Sequence, residues 1–131
     1  EGSTGWFASK NIQDEHLARM EALVEACYKV RPENSRIELI EIDIQLRELL
    51  FEAAKSRANR EISNFLYYQT LRFWFLAFER SNMEAEVEIE AKEIRDSIEV
   101  FSKRDPEKGE AFKRNVILQY LERISQYFTA Y

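Results

Sequence analysis

Asp43 and Arg47 are the first residues in this chain whose types and spacing suggest chemistry. They stand four positions apart and share a helical stripe with Ile40, Leu50 and Ala54. If that stripe faces an interior, the guanidinium neutralises the carboxylate and removes the several kcal/mol cost of an isolated buried charge. On a helix surface the same pair would contribute only ~0.3–0.5 kcal/mol. Arg72 is the second cation out of place, set in the aromatic-rich stretch 65–75 and sharing a face with Tyr68, Gln69 and Phe75. A buried arginine needs an anion. Its fork could clamp a ligand carboxylate, with Tyr68 and Gln69 as neutral hydrogen-bond partners, or it could pair with an internal acid such as Glu79.

Groups that would do catalysis do not assemble. His16 is the single histidine and lies beside Glu15 in the first turn of a helix, which reads as a surface position. Cys27 falls on the apolar side of the same helix, eleven positions away, with nothing to orient a base against it. Three glycines form no phosphate-cradling fingerprint. The carboxylates of residues 84–93 are numerous, but a charge run of this kind reads as a solvated helix face. No enzyme is expected.

These residues must be positioned by helices. The chain has 131 residues, 45% of them hydrophobic and 13% aromatic, enough for one domain with a substantial core. Three glycines and two prolines are too few for the turns a sandwich or barrel needs, so the expected class is all-α, an antiparallel bundle of about six helices spanning residues 1–131. Asn11 reads as the cap of a helix carrying Leu17, Met20, Val24 and Cys27. Ser35 with Glu38 forms a capping-box pattern for a central helix reaching Ala54. Asn59 could cap a third helix, apolar nearly all round over Ile62, Phe65, Leu66, Leu71, Phe73, Trp74 and Phe75, which should therefore be surrounded by neighbours. Val87, Ala91, Ile94, Ile98 and Phe101 then recur at helical steps, overriding a short period-two alternation. Asp105-Pro106 opens a last helix with Phe112, Val116, Tyr120, Ile124 and Phe128. The first eleven residues predict a short packed helix whose upstream continuation lies outside the chain, because Trp6, Phe7 and Ala8 are too apolar for a free tail.

A formal charge of −5 disfavours nucleic-acid binding, which draws on Lys and Arg against phosphate. One cysteine cannot form an internal disulfide, and a reducing, cytoplasmic setting is expected. No stretch is long and apolar enough for a bilayer span.

The order of several short motifs resembles a known family. These are residues 1–8 (Glu-Gly-Ser-Thr-Gly-Trp-Phe-Ala), Asp14-Glu-His-Leu17, Glu41-Ile-Asp-Ile-Gln-Leu-Arg47, Ala54-Lys-Ser-Arg-Ala-Asn59, and Glu93-Ile-Arg-Asp-Ser-Ile98 leading to Arg104-Asp105. Together they resemble the ligand-binding (FCD) domain of GntR-type bacterial transcription regulators. The resemblance implies a bundle of about six helices that senses a small metabolite, usually an organic acid, and forms a homodimer. It also implies that DNA is read only through a winged helix-turn-helix domain that these 131 residues do not include.

Many members of that family hold a divalent metal with an Asp, a His four residues later and two His from later helices. The resemblance places Asp43, Arg47, Ile94 and Val116 at these positions. Only the carboxylate survives, so neither a transition metal nor another cofactor is expected. A one-residue shift of the later two gives Glu93 and Asn115, which could ligate a hard cation. The ligand-binding set on this reading is Asp43, Arg47, Tyr68, Gln69, Arg72, Ile94 and Val116. The alternative is a ligand-free helical interaction module in which the charged residues form structural ion pairs. A cavity of a few hundred Å³ lined by Asp43, Arg47 and Arg72 would favour sensing, and a solid interior the module.

Overall fold

A computed structural model describes residues 2–79 and 81–129, with side chains described as far as 126; the side chain of Phe128 lies outside them. Six α-helices follow in order: α1 (Gly2–Asn11), α2 (Asp14–Cys27), α3 (Ser35–Ala54), α4 (Arg57–Phe78), α5 (Met83–Ser102) and α6 (Pro106–Thr129). A single 3₁₀ turn, Pro32–Asn34, leads into α3. Among the described residues there is no strand, and the all-α expectation holds.

The helix starts follow from local chemistry, though several caps differ from those the sequence suggests. Asn11 closes α1 instead of capping α2. The cap of α2 is Gln13, whose backbone N–H donates to His16 Nδ1 at 3.0 Å. His16 is therefore buried at 8% exposure, not a surface histidine, because the first turn of α2 uses its ring as an acceptor. Asn34, not Ser35, caps α3, and Glu38 instead accepts from the backbone and side chain of Arg31. Ser56 caps α4 by accepting from the Asn59 N–H. At the two later starts, Asn82 Oδ1 accepts from Glu84 and Ala85, and Asp105 Oδ1 accepts from Glu107 and Lys108, one residue ahead of Pro106.

Helix α3 is the central element, as its many-sided apolar pattern predicts. It buries Leu39, Ile42, Leu46, Leu49, Leu50 and Ala53, and packs on α1, α2, α4 and α5. Helix α1 crosses α6 where neither chain has room for a Cβ: one built on Gly109 would lie 1.8 Å from Ser9 Oγ and 2.5 Å from the Gly5 carbonyl oxygen. Gly5, which weakens α1 as a helix, is what lets it dock: a Cβ there would lie 2.3 Å from the Gly109 carbonyl oxygen. Helix α4 departs from expectation. It buries only Ser63, Tyr67, Trp74, Ala77 and Phe78, one face at helical spacing, and leaves Ile62, Phe65, Leu66 and Phe73 at least half exposed.

Candidate functional site

Where α3, α4, α5 and α6 converge lies a partly open cavity of about 190 Å³. It is smaller than the few hundred Å³ anticipated, yet larger than an engineered ~150 Å³ cavity that accepts benzene. Each helix contributes because its inward stripe carries a polar residue among apolar ones. From α3 come Asp43 and Arg47, one turn apart, with Leu46 between them. From α4 come Tyr67 and Trp74, and from α5 Glu90 and Glu93. Helix α6 adds Lys113, Val116, Tyr120 and Arg123.

Asp43 and Arg47 meet α4 through one tyrosine. The Tyr67 hydroxyl donates to Asp43 Oδ2 at 2.9 Å, and the Arg47 guanidinium lies 4.2 Å from the centre of the Tyr67 ring. Arg47 Nη2 also donates to the Ser63 carbonyl at 3.2 Å, so this cation is buried against α4 backbone at 8% exposure. Burial, with the Asp43 charge next in weight, pushes the Tyr67 phenol well above its ordinary range, and it stays a donor at any physiological pH.

The strongest electrostatic feature is carboxylate crowding. Oxygen atoms of Asp43, Glu90 and Glu93 all lie within 4.8 Å of one another. Burial and the Asp43 and Glu93 charges raise the Glu90 carboxyl far above the usual range. Burial and Asp43 push Glu93 up to about 7, against the pull of Lys113, Arg123 and Arg47. Glu90 is 5% exposed, and its Oε1 has no hydrogen-bond partner. These three acids are the residues that could hold a cation. The imidazole site implied by the resemblance does not fit here, since Arg47, Ile94 and Val116 offer no electron pair to a metal.

The ligand-binding set anticipated from the sequence divides on this geometry. Asp43, Arg47 and Val116 line the cavity together. Ile94 does not line it and is wholly buried in the core, because α5 turns Glu90 and Glu93 toward α3 and α6 instead. Tyr68, Gln69 and Arg72 lie exposed on the outer side of α4 and away from the cavity; the inward face of that helix is set by Ser63, Tyr67 and Trp74. Asn115 is likewise exposed.

Glu90 is the residue the sequence reading passed over. The run 84–93 is not uniformly solvated, for Glu86 is 4% exposed and pairs with Arg123 of α6. The signal was present: Glu90 stands four, seven and eleven residues before Ile94, Ser97 and Phe101, on the face that α5 buries. Tyr67, Trp74, Lys113 and Tyr120 carried no mark to separate them from ordinary core and surface residues.

No curated protein and no solved structure gave a match to the chain. The family model described as FCD domain matches residues 1–119, which takes in α1 to α5 and the first half of α6, while the cavity residues Tyr120 and Arg123 lie just beyond it. The chain therefore belongs to the FCD family, the effector-binding domains of GntR-type transcription regulators.

Proposed function

We propose that this domain senses a small carboxylate-bearing metabolite in the cavity between α3, α4, α5 and α6, and that it works as a cytoplasmic homodimer without a transition metal. The observation that carries the reading is the cavity itself: a packed bundle of this size has no structural reason to surround an open space with ionised groups. Arg47, Lys113 and Arg123 line it and supply the positive field for a ligand carboxylate. A sensor transmits binding by shifting how helices pack, and a site shared by four helices is suited to that. Native mass spectrometry of the protein as purified, and thermal melts with small organic acids, test the reading. A retained metabolite or a rise in Tm supports it; a melt indifferent to every small acid and metabolite offered counts against it.

The dimer rests on the outer face of α4. Ile62, Phe65, Leu66, Phe73 and Leu76 recur at helical spacing and are 63%, 65%, 58%, 50% and 38% exposed. An apolar stripe of that kind on a soluble surface marks an interface. A second copy is the partner that suits a regulator reading two symmetric half-sites. Sedimentation should give a dimer, and Phe65→Glu with Leu66→Glu a folded monomer. A wild-type chain that stays monomeric at high micromolar concentration would overturn this.

A further inference from the structure

The cavity is lined by acids as well as bases, and a ligand carboxylate accounts only for the bases. Among the acids, oxygens of Asp43, Glu90 and Glu93 lie within 4.8 Å of one another. Gathering carboxylates away from water is unfavourable unless a proton is held among them, as burial and the Asp43 hydrogen bond favour at Glu90, or a positive group displaces that proton. Glu90 points to that group most directly. It is 5% exposed, its Oε1 lacks any partner, and a buried acceptor left unmade costs more than an exposed one. We propose that the effector carries a protonated primary amine, held by Asp43, Glu90 and Glu93, so that the ligand is a small amino acid and not a simple organic acid. The inference deepens the sensing reading and rests on it.

Geometry and surroundings agree with an ammonium. Three N–H groups of a tetrahedral –NH₃⁺, each about 2.7–2.9 Å from its acceptor, place those acceptors roughly 4.4–4.7 Å apart. The three oxygens, all within 4.8 Å of one another, are near enough for one ammonium to reach them with small side-chain adjustments. The walls beside it are aromatic: Tyr67 and Trp74 both line the cavity, their rings edge to face with centroids 6.3 Å apart. Aromatic faces beside carboxylates favour an organic cation. Trp74 Nε1 is buried without an acceptor, and with Lys113 and Arg123 it offers the ligand carboxylate a donor. A hard divalent ion fits less well. Three carboxylates could also hold such an ion with water completing its shell, but the Asp43 Oδ2 that already accepts the Tyr67 hydroxyl and the aromatic walls are better suited to an organic cation, and the test includes the metal alone.

The test is a set of thermal melts and calorimetric titrations at neutral pH on the wild-type chain and Glu90→Gln. The probes are amino acids (alanine, β-alanine, 4-aminobutyrate, aspartate), their amine-free counterparts (propionate, butyrate, succinate), and magnesium or manganese chloride alone. The expected result is that at least one amino acid raises Tm while its amine-free counterpart does not. Glu90→Gln, still folded, should then bind it about tenfold to a hundredfold more weakly. Equal stabilisation by the amine-free acids overturns the amine but leaves the sensing reading standing. Stabilisation by metal ions and not by amino acids overturns it in favour of a hard-cation site. A melt unmoved by every probe overturns both.

Discussion

Replacing Glu93 by glutamine should make the protein more stable at neutral pH, although it deletes a charge from a cavity that four helices share. In the folded chain the Glu93 carboxyl is pushed from 4.5 up to about 7, first by burial and then by the Asp43 charge. Between those two values the folded state holds a proton that the unfolded state has released. The stability associated with that proton is fully present below about pH 4.5 and is lost as pH rises through about 7. The difference of about 2.5 pH units, at ~1.4 kcal/mol each, amounts to roughly 3 kcal/mol. Glu93 is only partly shielded from solvent, so that figure is a ceiling. Glutamine keeps the shape and removes the titration. Glu93→Gln should therefore match wild type near pH 4.5 and exceed it by up to roughly 3 kcal/mol at about pH 8, on the order of 10 °C in Tm for a domain of this size. Urea unfolding of both proteins across this range, with m-values compared, measures the gap directly. Parallel stability curves, or a variant less stable than wild type at about pH 8, would refute the picture of crowded carboxylates.

Four further outcomes are expected. Gly109→Ala, which in most helix interiors gains about 1 kcal/mol, should here cost about 1–3 kcal/mol in chemical denaturation because its Cβ meets Ser9 Oγ and the Gly5 carbonyl. Gly2→Ala should be close to neutral in the same assay, since its nearest obstacle is the mobile end of Arg114 at 3.0 Å. Lys55 ends α3 at φ 57°, a left-handed conformation that suits glycine, and Lys55→Gly should raise stability by about 1 kcal/mol by thermal melt. Cys27 is wholly buried, with its thiol pushed up to about 11 mainly by burial; a disulfide-exchange reagent should label it in the unfolded chain and only very slowly in the native one.

Sequence alone determined the class of the molecule, because few glycines and prolines, a 3.6-residue apolar period and caps such as Asp105-Pro106 are local properties that need no partner to be read. The order of short motifs determined the family as well, and spacing alone put Asp43 and Arg47 on one stripe. Tertiary structure decided which side of each helix is inside. Helix α4 is apolar on most sides, so its pattern could not say that Ser63, Tyr67 and Trp74 face the cavity while Tyr68, Gln69 and Arg72 face outward. A charge run such as 84–93 reads as solvated until a neighbouring helix covers part of it, and only the packing of α5 against α3 and α6 takes Glu86 and Glu90 out of water. The gathering of Asp43, Glu90 and Glu93 joins residues 43 and 90, which no periodicity along the chain relates. Their closeness is a product of helix packing, and so is the raised affinity for protons that follows from it.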